Sequence, residues 1–113
     1  MTGDFRVDRR SIESKVDCLD IRGVLDASTG DQLRKAATKT IDAGAWNLAL
    51  NLSEVSFIDS NGLNAIAFIH AKVRKAGGQL MVVVGPQQRQ IFSMIRLKLP
   101  IYEDEAQLLR SLT

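Results

Sequence analysis

Apolar and polar positions alternate at the start of the chain, then shift to a three- and four-residue rhythm broken by short apolar runs. Asp4 to Arg9 alternates, with Phe5 and Val7 on one side, and predicts a short strand. Val16 to Val24 alternates as well, with Leu19 and Ile21 pointing one way, and predicts a second strand. Ser11 to Lys15 between them reads as the turn of an antiparallel hairpin. Gly23 to Gly30, holding Asp26, Ser28 and Thr29, reads as a loop. Asp31 to Ala43 predicts a helix, because Leu33, Ala36, Ala37, Thr40 and Ile41 recur at helical spacing. Ser28 or Thr29 would cap it and Gly44 would stop it.

Trp46 to Leu52 predicts a third strand, with Trp46, Leu48, Leu50 and Leu52 on one face. Val55 to Ile58 reads as a short connection, and Asp59 to Ala76 as a second helix with an inner stripe of Leu63, Ile66, Ala67, His70 and Val73. Gly77-Gly78 ends that helix. The run Leu80 to Val84 is the clearest buried strand. A third helix is expected from Pro86 to about Leu97, with Ile91, Met94 and Ile95 inward. Ile101-Tyr102 makes a short last strand, and Glu103 to Leu112 a final helix with Ala106 and Leu109 facing in. The order β-β-α-β-α-β-α-β-α predicts an α/β fold: a mixed, mainly parallel sheet of about five strands with about four helices and an antiparallel edge.

The chain's 113 residues suit one domain, expected to span 1–113, and leave no room for a second catalytic one. Hydrophobic residues at 45% and charged residues at 25% describe an ordinary globular protein and argue against disorder. The formal net charge is only +2 and the basic residues are scattered, so no direct nucleic-acid contact is expected. No run approaches the roughly 20 apolar residues of a membrane span, and the first residues lack an apolar signal core. The expectation is therefore no membrane association and a cytoplasmic location.

The residues offer little for catalysis. The lone cysteine, Cys18, cannot form an intramolecular disulfide or a zinc site and reads as a small half-buried strand residue. His70 lies on an apolar stripe, with no Cys or Asp at helical spacing to make a metal or nucleophile–base pair. Gly77-Gly78 follows a helix, whereas phosphate-binding loops follow a strand. A receiver domain shares the αβ alternation, but no lysine follows the strand Leu80 to Val84. No catalytic residue, metal or cofactor is expected, and the chain is read as a non-enzyme.

One stretch does carry a signal: Asp59-Ser60-Asn61-Gly62-Leu63, three small polar residues where a helix opens, preceded by Phe57-Ile58. The plainest reading is that Asp59 or Ser60 caps the helix. Three details reach further. Asp59 can cap alone and leave Ser60 free; Gly62 would leave the first turn bare for a partner; and a phosphate on Ser60 would meet the positive end of a helix, worth roughly 0.3–1 kcal/mol. A phosphoserine adds about −1.5 to −2 charges, enough to repel a partner fitted to the hydroxyl.

This stretch resembles the Asp-Ser-(Ser/Thr)-Gly-Leu signature of the STAS family and is similar to that of the bacterial anti-sigma factor antagonists. Ile21 to Asp26, Asn51 to Val55, Gly77 to Leu80 and Ile101 to Ala106 resemble the family's other landmarks. The resemblance implies the STAS fold and a phosphoacceptor at the serine after the motif aspartate, here Ser60. It implies partner switching: a GHKL-type serine kinase that doubles as an anti-sigma factor is bound by the unphosphorylated chain and released on phosphorylation, and a PP2C-type phosphatase resets the switch. The partner surface would comprise Asp26, Ser28, Asp59, Ser60, Asn61, Gly62 and Leu63. Asn61 departs from the usual Ser or Thr, Val24 replaces an acidic residue, and Asn64 stands where a small or apolar residue is common. Two other readings stay open: a STAS subunit or scaffold of a transport or stress complex that no kinase touches, and a small nucleotide-binding domain.

Overall fold

The computed structural model of the protein describes residues 5–94 and 99–112. Five strands, β1 (Arg6–Ile12), β2 (Val16–Leu25), β3 (Asn47–Ile58), β4 (Gln79–Val83) and β5 (Ile101–Tyr102), form one sheet in the order β1-β2-β3-β4-β5. β1 runs antiparallel to β2 and every other neighbouring pair is parallel. The helices are α1 (Ala27–Asp42), α2 (Ser60–Lys75), α3 (Pro86–Met94) and α4 (Glu105–Arg110). This is the α/β element order expected from the sequence.

Strand alternation sorts the sheet's side chains into two cores. Leu19, Ile21, Leu48, Leu50, Leu80 and Val82 face one way and are covered by Leu33 and Ala37 of α1, Ile66, Ile69 and Val73 of α2, and Phe92 of α3. Phe5 and Val7 pack at the rim of this core, as their alternation predicted. The opposite face carries Ile12, Val16, Cys18, Ala49, Met81 and Val83 and is covered by Leu108 of α4. Beyond α4 it turns polar. There Asp20 accepts hydrogen bonds from the Arg10 guanidinium and from Asn51, and Arg10 also reaches Glu105 of α4. Asp20 is thereby held below the usual carboxylate range, first by Arg10.

Several boundaries differ from expectation. The hairpin turn is only Glu13 to Lys15, since Ser11 and Ile12 pair with Asp17 and Val16. α1 begins at Ala27 instead of Asp31, and its N-cap is Asp26, not Ser28 or Thr29. Gly30 hides this start in the sequence, but there it lets the helices touch: a Cβ on it would stand 3.3 Å from the Ala65 Cβ. Gly44 follows the end of α1 at φ 100°, as a stop residue should.

β3 does not end at Leu52. It continues through Ile58 because β2 extends beside it, pairing Gly23 with Val55, Val24 with Phe57 and Leu25 with Ile58. Trp46 is not part of the inward face: it precedes the first β3–β4 pair and is 64% exposed, its ring lying over Gly77. On α2 the buried stripe is Gly62, Ala65, Ile66, Ile69 and Val73, while Leu63, Ala67 and His70 are half-buried on its flank. α4 turns Leu108 inward, with Leu109 half-buried and Ala106 exposed. The described part of α3 ends at Met94, where Ile91 is half-buried and Phe92 is the buried anchor; the side chain of Met94 and residues 95–98 lie outside the description. Cys18 is fully buried, and burial pushes its thiol up to about 12.

Candidate functional site

Leu25 and Ile58 are register partners at the ends of the parallel strands β2 and β3. The next residues, Asp26 and Asp59, are the N-caps of α1 and α2, so two helix starts open together at one edge of the sheet. The Asp59 N–H donates to the Leu25 carbonyl at 3.2 Å and ties the two starts to each other.

Each cap is self-contained. The Asp26 carboxylate accepts from the Thr29 N–H at 3.1 Å, and the Thr29 hydroxyl accepts from the Asp26 N–H at 2.8 Å while donating to the Val24 carbonyl at 2.7 Å. This reciprocal box holds the Asp26 carboxyl below its ordinary range, chiefly through the Thr29 backbone bond. The Asp59 carboxylate accepts from the Gly62 N–H at 3.0 Å, and the Asp59 carbonyl accepts from the Leu63 N–H. The cap of α2 is therefore Asp59.

Ser60, the first residue of α2, is exposed, and no hydrogen bond holds its hydroxyl among the described residues. Among the described residues no base lies within hydrogen-bond reach of it, as a self-activated nucleophile requires. His70, half-buried ten residues along α2, lies about 15 Å away along the axis. Among the described residues no three His, Cys, Asp or Glu side chains cluster as metal ligands would.

The fold sets Asp26, Ser28, Asp59, Ser60 and Asn61 around this edge. Ser28, Ser60 and Asn61 are exposed, and the two capping aspartates are half-buried. Gly62 requires a correction. It is buried, and a Cβ on it would stand 2.5 Å from the Leu25 carbonyl oxygen. It gives room to the neighbouring strand end and presents no bare surface to a partner. Leu63 is half-buried against the main core, so it supports the site from beneath. Phe57 adds what the sequence reading missed: three residues before Ser60, it is 58% exposed beside the half-buried Val24. Alternation counted back from the buried Ile58 turns it outward.

The STAS domain profile matches residues 10–108, and the chain belongs to the STAS domain family. BtrV of Bordetella bronchiseptica, assigned as an anti-sigma factor antagonist, is 24% identical over 75 residues, which is 66% of this chain and 65% of BtrV's own length. A crystal structure of an anti-sigma factor antagonist from Mycobacterium paratuberculosis superposes with a TM-score of 0.84 at 24% identity, covering 96% of this chain and 93% of that one. The Bacillus protein SpoIIAA superposes in its unphosphorylated form with a TM-score of 0.72 at 16% identity, covering 95% and 96% of the two chains. Its phosphorylated form gives 0.73 at 18% identity, covering 96% and 100%. The fold also occurs within the murine anion transporter Slc26a9, with a TM-score of 0.73 at 20% identity over 88% of this chain and 18% of the transporter. The chain thus has the fold of the anti-sigma factor antagonists, and that fold by itself does not separate a regulator from a transporter module.

Proposed function

We propose that this chain is an anti-sigma factor antagonist that works by partner switching and has no catalysis of its own. With Ser60 unmodified it binds a GHKL-type serine kinase that serves as the anti-sigma factor. Phosphorylation of Ser60 releases that kinase, and a PP2C-type phosphatase restores the starting state. Asp26, Ser28, Asp59, Ser60 and Asn61 form the contact edge, with Leu63 behind it and Phe57 beside it. The observation that carries the reading is the division of labour at the start of α2: Asp59 caps the helix, so the exposed Ser60 hydroxyl is not required by the fold.

The physical consequence is a switch at constant fold. A phosphate on Ser60 adds about −1.5 to −2 charges next to Asp59, within a contact edge that would be desolvated in a complex. Like charge buried at an interface costs about 2–5 kcal/mol, or roughly 30-fold to several thousand-fold in affinity. The helix start meanwhile favours the added anion. The near-equal superposition on both forms of SpoIIAA supports a fold that survives the modification in that relative.

The test incubates the purified chain with ATP and each GHKL-type kinase encoded in the same genome, then reads intact mass and affinity. One kinase should add a single phosphate to the chain and none to Ser60→Ala. Ser60→Ala should bind that kinase constitutively, and Ser60→Glu should bind at least 30-fold more weakly. Equal affinity of all three forms, or no modification by any kinase, would sink the proposal. A second reading, a subunit or scaffold that no kinase touches, draws on the occurrence of the fold in Slc26a9. Stable recovery of transporter subunits in a pull-down, with Ser60→Glu recovered equally well, would favour it.

A further inference from the structure

We infer that the groove between α1 and α2 receives an acidic, amphipathic segment of the partner protein, with Phe68 as its apolar anchor. This rests on the switch reading above and extends it to a second patch outside the phosphoacceptor edge.

The two helices touch near their starts, where Gly30 meets Ala65 and the Asn61 carbonyl. An open groove of about 670 Å³ is lined by Asp31, Arg34, Lys35, Thr38, Lys39 and Asp42 of α1 and by Phe68 of α2. Phe68 is 47% exposed, a large ring on a helix face that no element among the described residues covers. A scattered exposed apolar residue needs no explanation, but this one lines a groove shared with three long cationic side chains, whose stems can cover apolar surface.

Charge selects the occupant. α1 and α2 together carry six cations, Arg34, Lys35, Lys39, Lys72, Arg74 and Lys75, against only two carboxylates, Asp31 and Asp42. The whole chain carries a formal +2, so these two helices hold more positive charge than the entire protein and the remainder is net negative. Asp31 is already shared between Arg34 at 3.6 Å and Lys35 at 3.4 Å. Lys39, an exposed residue of the groove lining, has no ion pair among the described residues. An apolar side chain flanked by carboxylates fits these groups, and an amphipathic helix supplies both.

Continuity with the switch identifies the bearer. Ser60, Asn64 and Phe68 succeed one another every four residues along the exposed side of α2. Eight residues of helix span about 12 Å. A standard interface buries about 800 Å² per partner, a patch roughly 30 Å across, so a protein covering Ser60 also reaches Phe68. At about 12 Å the two sites share no contacts, so a phosphate on Ser60 acts first at its own edge and the groove contact is retained. The groove then contributes affinity and partner choice, and Ser60 contributes the switch.

The experiment titrates the Ser60-phosphorylating kinase with the unmodified chain, Phe68→Ser, Phe68→Leu and Lys39→Glu, each first checked for unchanged urea unfolding. Phe68→Ser should weaken binding about tenfold or more, Phe68→Leu much less, and Lys39→Glu should weaken it with a reduced dependence on salt. The loss from Phe68→Ser should add to that from Ser60→Glu, since the sites lie beyond coupling distance. If Phe68→Ser and Lys39→Glu bind within twofold of the parent while Ser60→Glu does not, the groove inference falls and the switch stands. If Ser60→Glu also binds normally, the switch fails and takes the groove inference with it. Were Phe68→Ser to abolish self-association of the chain in sedimentation while sparing the kinase, a second copy would be the occupant. Binding to anionic vesicles, lost in Lys39→Glu and accompanied by unchanged kinase binding, would give the groove to a membrane surface.

Discussion

Gly62 lies so close to the Leu25 carbonyl oxygen that a Cβ built on it would stand 2.5 Å away. The obstacle is backbone at a strand end, which cannot swing aside as a flexible side chain can. Gly62→Ala therefore sets two effects against each other. Alanine recovers about 0.5–1 kcal/mol of helix propensity, while forced overpacking costs about 1–3 kcal/mol. The clash should win, lowering the urea midpoint and tilting the start of α2, and with it Ser60. Gly30→Ala, whose added Cβ would meet the Ala65 Cβ at 3.3 Å and the Asn61 carbonyl oxygen at 3.5 Å, should cost less. Comparing the two unfolding curves checks the contrast.

Asp59 and Ser60 should separate stability from function. Asp59→Ala removes the carboxylate that accepts from the Gly62 N–H and should cost about 1 kcal/mol. Ser60→Ala should leave stability within about 0.5 kcal/mol, because no fold contact depends on the hydroxyl. Equilibrium urea denaturation of both variants reads this directly, and a large loss from Ser60→Ala would make that serine a structural cap.

Acid should unfold the protein partly through Asp20. Arg10, helped by Asn51, holds the Asp20 carboxyl below its ordinary value of 3.8 in the native state. Above that value both folded and unfolded forms are ionised, and the interaction contributes in full. As pH falls through and below it, the unfolded chain takes up the proton first, so the contribution is lost downward toward the lower native value. The stability gap between the parent and Asp20→Asn should be constant above about pH 5 and shrink below about pH 4. Urea midpoints measured from pH 6 to 3 test the direction.

Cys18 should be inert in the folded protein. Its thiol is buried, and burial followed by the Asp20 charge raises it to about 12, so almost no thiolate exists near neutral pH. A thiol reagent at pH 8 should label it only as fast as the whole chain unfolds, with urea accelerating labelling in step with the unfolding transition. Fast labelling of the native protein would show local opening beneath α4.

Much of this protein was legible in the residue pattern. Alternation exposed the hairpin and the inward sides of β1 and β2, the apolar run Leu80 to Val84 gave a central strand, and Asp59-Ser60-Asn61-Gly62-Leu63 marked both a helix start and the family. These are local properties, fixed by spacing and side-chain type. The errors fell where distant segments decide. β3 continues through Ser56 and Phe57 only because β2 runs alongside it. The start of α1 is the exception: the local Asp26–Thr29 capping box sets it four residues early, masked in the sequence by Gly30.

The sequence by itself determined that a hydroxyl would stand at the opening of a helix, because the aspartate before it can satisfy the free amides unaided. Only the tertiary structure decided what surrounds that hydroxyl. It buried Gly62 against a neighbouring strand, turned Phe57 and Phe68 to solvent, and set two capped helices side by side. The reason is that local spacing sets the side on which a residue points, whereas packing between elements decides which of those sides is covered.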